Sequence, residues 1–295
     1  MWGVFVVLAS IATAVYYFGN QTVKVSANVF MIYRGIVPVL LLLPFLPMVT
    51  FLPTWQFYVL CAVQGCVIAY IDNKNYQAMQ KWGAEIVSSI HPLGIGAVFI
   101  LWIILHPSDA VTFLQNLPKF CGVVIALSGI GYATSSFKNE PQSRQALKFL
   151  LPFLVGVAAC DNLNKLCMSY VSESQLITGS YFYILITGAV VAAINFCLYF
   201  RRNGKIKELY QPRKTLQCIF LMMLLMMSMV FKNMAMFNVS NPSYVTATLY
   251  LYIIWIMLGV SAAERFGIKG SYKRINRKKA LLLLAATILL IMLEK

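Results

Sequence analysis

Long apolar runs, separated by short polar or basic segments, make up most of this chain. The runs are about 17 to 26 residues long, close to the roughly 20 residues that a helix needs to cross a bilayer. We therefore predict an all-α polytopic membrane protein with ten transmembrane helices. The predicted spans are Trp2–Phe18, Ala27–Met48, Trp55–Met79, Ala84–Leu105, Phe120–Ser135, Phe149–Tyr170, Gln175–Phe200, Leu216–Phe237, Tyr244–Glu264 and Ala280–Leu293.

A polar segment, FKNEPQSRQALK at residues 137–148, divides the ten predicted spans into five and five. Its proline, serine and mixed charges are typical of a linker. Because five is an odd number, the second set enters the membrane from the opposite side. We predict two inverted five-helix repeats, residues 1–136 and 149–295, which is an arrangement typical of secondary transporters.

The two halves share a short echo, in which Lys74-Asn75 and Lys232-Asn233 occur at corresponding places. Each pair lies near the end of its span and is followed by a polar break and a new apolar run. Inverted repeats would place the two pairs on opposite sides of the membrane midplane, at the two rims of a shared cavity. A cation at each rim suits an anionic or zwitterionic solute. Alternatively, each lysine only reaches towards its nearer membrane surface.

Composition narrows the class of function further. The chain is 60% apolar and 11% charged, whereas soluble proteins carry roughly a quarter charged residues. The net charge of +15 would suggest nucleic acid as a partner in a soluble protein. Here the basic residues cluster between spans, where the cytoplasmic leaflet prefers them, so the expected partner is the lipid bilayer and not nucleic acid.

No motif in the sequence indicates an enzyme, a cofactor or a metal. HExxH, P-loop, GxSxG and glycine-rich dinucleotide motifs are all absent. The seven cysteines lie in apolar spans without a CxxC pair and are interpreted as packing residues. Any driving force for transport would therefore come from a gradient or from exchange.

Ionisable residues inside spans are the candidates for function, because each costs at least about 2.5 kcal/mol at the centre of a helix in a bilayer. They are Arg34, Asp72, Lys74, Glu85, His91, Asp161, Lys165 and Lys232. We interpret Arg34 as an ion-pair partner of Asp72 or Asp161, or as a solute contact. Asp161 and Lys165 stand at i,i+4 spacing, which favours either an internal ion pair or, together with Asn162 and Asn164, a polar band along the cavity.

Two of these residues lie in span 4, and span 9 adds one further candidate. Proline at position 92 frees a backbone carbonyl, and the adjacent His91 is either a protonatable coupling group or a buried histidine bonded to a neighbouring helix. Glu85 lies near the start of span 4, where the helix dipole stabilises an anion. Tyr250, near the middle of span 9, is the best aromatic candidate for the cavity.

Several stretches resemble the drug/metabolite transporter superfamily, in particular its EamA-like members. Arg34 in YRGIVPVLLLLP matches the arginine that this family carries in its second helix. Gly122 and Gly129 match the spaced glycines of the fifth helix, and Glu264 matches the residue that ends the ninth. In spans 3 and 4 the matching residues are Ala78, Ala84, Ser88, Ser89, Pro92 and Leu93. The chain departs from the family in span 9, where Leu249-Tyr250 replaces a second proline.

The resemblance implies two five-helix repeats around a central cavity, with spans 5 and 10 at the periphery or in a homodimer contact. We expect a secondary active transporter that moves a small polar metabolite by alternating access, in the inner (plasma) membrane of a bacterium. One alternative is proton-coupled efflux of amphipathic compounds through Glu85, Asp72 or His91. Another is a membrane scaffold or accessory subunit that transports nothing.

The basic loops predict the orientation of the chain. With ten spans, the basic segments between spans 5 and 6, 7 and 8, and 9 and 10 share one side, which the positive-inside rule assigns to the cytoplasm. Both termini are then expected outside, opposite to the topology usual in the resembling family. Epitope tags at the two termini, probed from each side of the membrane, test this; a cytoplasmic C-terminus would contradict it.

Overall fold

The computed structural model of the chain describes residues 1–20, 23, 25–82, 87, 90–108, 111, 115–134, 141–202, 204–205, 209–265 and 277–294. This described part is mostly helical and contains no strand. In chain order the α-helices are α1 Trp2–Asn20, α2 Ala27–Leu42, α3 Trp55–Trp82, α4 Gly94–Leu105, α5 Leu117–Thr134, α6 Pro141–Ser169, α7 Leu176–Arg201, α8 Pro212–Phe237, α9 Pro242–Leu249, α10 Tyr252–Arg265 and α11 Arg277–Leu293.

Five of the described segments are long and apolar enough to cross a membrane, judged by length and composition. They are Ala27–Met48, Trp55–Ala78, Gln145–Ser169, Glu173–Arg201 and Pro212–Phe237. Four shorter apolar helical segments accompany them: Trp2–Tyr17, His91–Leu105, Leu117–Ala133 and Pro242–Ile256. These helices make the chain a membrane-protein candidate, as the apolar runs predicted, and the five long ones coincide with predicted spans 2, 3, 6, 7 and 8.

Predicted span 9 is not one helix but two. α9 starts at Pro242 and α10 starts at Tyr252. The side chain of Asn241, the N-cap of α9, accepts a hydrogen bond from the Ser243 amide. Between them, the Tyr250 and Leu251 amides bond three residues back, to Ala247 and Thr248. The tighter 3₁₀ pattern interrupts the α-helix without a proline.

Span 4 has a comparable interruption, at a proline. Residues His91–Leu93 form a 3₁₀ turn with Pro92 near its start, and α4 follows from Gly94. The two positions correspond in the predicted repeats, although only one of them carries the proline.

The segment predicted as a linker is partly helical. α6 begins at Pro141, so residues 141–148 extend the helix that carries predicted span 6. Proline is favoured in the first turn of a helix because its missing N–H would have no partner there, and Gln, Ala and Lys are good helix formers. Residues 137–140 of the predicted linker lie outside the described residues.

The helices pack in a definite set of pairs. α2 lies along α7, α1 along α8, α3 along α6, and α5 along α11. α3 also contacts α7, as α8 contacts α2. α4 contacts α6, while α9 and α10 contact α1. The notable feature is that α5 and α11 pair chiefly with each other, whereas the other helices surround a common centre.

Two glycines allow α2 and α7 to cross closely. A Cβ atom added to Gly35 would lie 2.3 Å from the Ala192 amide nitrogen and 2.6 Å from the Gly188 carbonyl oxygen. A Cβ on Gly188 would lie 3.1 Å from the Gly35 carbonyl oxygen. Small residues permit such backbone contact between helices in membranes. The glycines predicted as a motif in span 5 act similarly, since Gly122 and Gly129 face Leu293 and Ala286 of α11.

Gly35→Ala is expected to lower the thermal stability of the purified protein clearly, because the new methyl group overlaps backbone atoms that cannot rotate away. Overpacking of this kind typically costs about 1–3 kcal/mol. Gly96→Ala is the matched control, since a Cβ there meets no atom within 4 Å. Thermal unfolding in detergent measures both. Equal stability of the two variants would contradict the close crossing of α2 and α7.

Candidate functional site

A cavity of about 230 Å³ lies among the central helices. At roughly 30 Å³ per water in the liquid, this is room for about eight waters. Its lining comes from α1, α2, α3, α6, α7, α8, the 3₁₀ turn at His91 and the α9–α10 break. The polar residues in this lining are Thr13, Tyr16, Tyr17, Asn20, Arg34, Gln64, Asp72, Asn75, Tyr76, His91, Cys160, Asp161, Asn164, Tyr183, Ser228, Lys232, Asn233, Thr246, Tyr250 and Tyr252.

Asp161 is bonded to two other helices in this lining. Its Oδ1 accepts from Lys232 Nζ at 2.5 Å, and its Oδ2 accepts from Thr246 Oγ1 at 2.6 Å. The three residues come from α6, α8 and α9. The Asp161 side chain is 5% exposed and that of Lys232 is 21% exposed. Asp161 is therefore bonded across the bundle, to residues of α8 and α9.

A second ion pair joins α2 to α3. Arg34 Nε donates to Asp72 Oδ2, so Arg34 binds one of the two carboxylates expected from the sequence. The side chains are 14% and 24% exposed, which leaves each of them partly open to the cavity. Each described cation of the lining is thus paired with a carboxylate from another helix. Such pairs keep their charge in an apolar bundle because each partner offsets the desolvation of the other.

The two asparagines of the Lys-Asn echo both line the cavity, with different partners. Asn75 Oδ1 lies 2.9 Å from His91 Nε2, and Asn233 Oδ1 accepts from Asn164 Nδ2 at 3.1 Å. Within the part of the chain that the structure describes, Asn164 Oδ1 and Asn233 Nδ2 have no partner although both atoms are buried. One free acceptor and one free donor beside the cavity are a natural place for a polar solute or water.

Gln64 belongs to the site but was not predicted from the sequence. Its amide donates to the Tyr183 hydroxyl at 2.6 Å and to the Cys160 carbonyl at 2.8 Å, which joins α3, α7 and α6 behind the cavity. Thr246 was missed as well. Neither side chain is ionisable, so the cost of placing a charge in a membrane helix did not indicate it. The amide in the middle of apolar span 3 was the signal available for Gln64.

Aromatic rings form one side of the cavity. The rings of Tyr17 and Tyr252 are 5.0 Å apart, and those of Tyr250 and Tyr252 are 5.8 Å apart. Phe30 and Tyr76 stack at 4.6 Å. Tyr250, predicted as an aromatic cavity residue, lies in this cluster directly at the break between α9 and α10.

Three of the predicted site residues are not among the described lining residues of the cavity. Lys74 Nζ is 4.7 Å from the centre of the Phe149 ring and is not among the described lining residues. Lys165 donates to the Phe237 carbonyl at 3.4 Å. Asn162 is buried and donates to the Ala158 carbonyl at 2.7 Å. Glu85 lies outside the described residues.

The lining combines opposite charges with neutral polar groups. Arg34 and Lys232 balance Asp72 and Asp161, and the remaining polar groups are amides, hydroxyls, a thiol and an imidazole. Among the described residues, no group of three or more His, Cys, Asp or Glu could hold a metal ion. The arrangement offers donors and acceptors of both charges to a molecule a few atoms wide.

No protein-family model and no curated protein sequence matches this chain.

Breaking one side of the Arg34–Asp72 pair is expected to destabilise the protein more than removing both charges. Arg34→Met leaves the Asp72 carboxylate partly buried without its partner, which typically costs several kcal/mol. Adding Asp72→Asn in the same chain removes that uncompensated charge. Thermal unfolding of the single and double variants in detergent measures the difference. A double variant less stable than Arg34→Met would contradict the mutual neutralisation of the two groups.

Proposed function

We propose that this protein is a secondary transporter that moves a small polar metabolite across the inner (plasma) membrane by alternating access. The observation that carries the proposal is the cavity with two ion pairs inside an apolar helical bundle. Ionisable residues within membrane helices are expensive, and where they occur they commonly mark the path of a solute or ion. The cavity volume of about 230 Å³ fits a solute about as large as an amino acid.

The pairing of the helices supports two inverted five-helix repeats. If α6, α7, α8, α9–α10 and α11 correspond to α1 to α5, the α1–α8 contact corresponds to the α6–α3 contact. The α4–α6 contact likewise corresponds to the contacts of α9 and α10 with α1. α2–α7 and α5–α11 pair each helix with its own counterpart. A pseudo-twofold relation between two halves requires all of these correspondences.

The broken helices support the same proposal. In transporters of the inverted-repeat type, discontinuous helices surround the binding site near the midplane. Here both candidates for such a helix, at His91–Leu93 and at Tyr250-Leu251, bring residues to the cavity. Interrupted helices leave backbone groups near the site, and these can bind a solute or exchange partners as the helices move.

The nature of the solute follows from the groups that would contact it. Asp161 and Lys232 offer an anion and a cation, and the Asn164–Asn233 pair offers a free acceptor and a free donor. A zwitterionic or anionic metabolite suits these groups. Lys232 carries the cationic role that the sequence assigned to the pair of lysines, because it lines the cavity whereas Lys74 lies against an aromatic ring.

A second candidate is proton-coupled efflux of amphipathic compounds. Asp72 and His91 line the cavity together with the aromatic cluster, which would hold an apolar group beside a protonatable one. Flux of such compounds would follow an imposed pH gradient, so a pH jump in proteoliposomes separates this candidate from the first. A scaffold protein, the third possibility, would give no stabilisation by any solute.

The test is transport by the purified protein in proteoliposomes. A thermal-shift panel of small metabolites comes first, since a bound solute stabilises the folded state. Each stabilising compound is then assayed by counterflow, which requires a carrier that binds the solute alternately on both sides. Failure of every compound to stabilise the protein and to show counterflow would contradict the proposal.

Lys232→Gln is expected to reduce counterflow by at least about tenfold, because it removes a charge-assisted bond at the solute site. Lys214→Gln, on the same helix but away from the described lining, is the matched control. Size-exclusion profiles establish that both variants are folded. Equal transport by the Lys232→Gln variant and the wild-type protein would remove Lys232 from the site.

A further inference from the structure

The cavity is balanced in charge among its described residues. Its described lining contains two cations and two carboxylates, and each cation is bonded to a carboxylate. His91 contacts the Asn75 amide and, at 4.7 Å, the Phe153 ring, neither of which carries a charge. A buried imidazole with such neighbours is better accommodated in its uncharged form. Tyrosine hydroxyls and the Cys160 thiol, the other titratable groups of the lining, are uncharged at neutral pH.

A balanced cavity has a consequence for movement. A carrier that changes its open side exposes the site to each aqueous phase in turn, and a net charge on the moving site resists this step in the apolar membrane. An empty carrier of zero net charge returns without a co-transported ion. The loaded carrier is balanced as well only when the solute has no net charge.

The hydrogen bonds of Asp161 indicate which of its two partners the solute displaces. Thr246 holds one carboxylate oxygen from a short and buried helix, and Lys232 holds the other through a flexible four-carbon chain. Lys232 is also the more exposed partner, at 21% against 5%. A solute ammonium can therefore take the place of the Lys232 ammonium on Asp161, while the released Lys232 binds the carboxylate of the same solute.

We propose that the solute is a zwitterion of zero net charge, that Lys232 substitutes for its ammonium in the empty carrier, and that transport is electroneutral and needs no coupled ion. This rests on the proposed transport function. It predicts that solute enters empty vesicles without a driving ion and without solute on the other side.

The first experiment uses wild-type protein in proteoliposomes that contain no solute. The probes are four labelled zwitterions (L-alanine, L-leucine, L-phenylalanine and glycine betaine), with succinate as the anion and putrescine as the cation. Uptake of a zwitterion with an ammonium group is expected, at a rate that changes by less than about twofold under an imposed membrane potential, which would act on any moving charge. An imposed pH gradient is expected to have equally little effect.

Each contrary result has a distinct meaning. Uptake that needs a proton gradient, that follows the membrane potential, or that occurs only with solute on the other side overturns the inference but leaves a transporter. Transport of succinate or putrescine in preference to the zwitterions overturns it too. Absence of transport for all the probes, together with no stabilised compound in the metabolite panel, overturns the proposed function itself.

Two variants test the role of Lys232. Lys232→Met leaves Asp161 without its cation, so the site carries one negative charge whether empty or loaded, and uptake is expected to become dependent on pH, because a proton on the carboxylate restores the balance. Combining it with Asp161→Asn restores a balanced site, and uptake is expected to lose that dependence while its KM rises at least about tenfold, since the ammonium contact is gone. Lys148→Met, an exposed position on α6, is the control.

Equal dependence of uptake on pH in the single and the double variant would overturn the role of Lys232 as an internal counter-ion. If either variant fails to fold, as judged by size exclusion, the wild-type measurements under imposed potential and pH gradient still decide the proposal.

Discussion

A charge without a partner is the most costly feature that an apolar helical bundle can contain, and the centre of this protein is arranged accordingly. Asp161 holds α6, α8 and α9 together through Lys232 and Thr246, and Arg34 joins α2 to α3 through Asp72. Five of the helical segments that surround the cavity thus depend on a few polar contacts. The apolar surfaces determine that the helices associate, and the charged pairs determine which of them meet at the centre.

Much of this arrangement could be predicted from the sequence. Apolar run length predicted the helices, and the rarity of charged residues inside the runs indicated Arg34, Asp72, Asp161 and Lys232, all of which line the cavity. Their pairing was harder to predict, because Asp161 and Lys232 are 71 residues apart and meet only through the packing of α6 against α8. The i,i+4 spacing of Asp161 and Lys165 is a local signal, and it does not indicate the bonds that Asp161 makes to α8 and α9.

The remaining differences have similar causes. Lys74 and Lys232 occupy equivalent places in the sequence echo, yet Lys74 lies against the Phe149 ring and Lys232 lines the cavity. Gln64 and Thr246 carry no charge, so the cost of placing a charge in a membrane helix does not distinguish them from packing residues. No proline marks the break at Tyr250-Leu251 in the sequence, because the break arises from 3₁₀ hydrogen bonds in the folded chain.

The contact between Gly35 and Gly188 has a mechanical consequence for a protein of this design. α2 and α7 meet backbone to backbone, with almost no side-chain atoms between them at the crossing point. Two helices that touch through backbone atoms at one point can change their mutual angle with little repacking of side chains, whereas helices with interlocked side chains resist such a change. If the two halves tilt during transport, as we propose, this crossing is the contact about which they would turn.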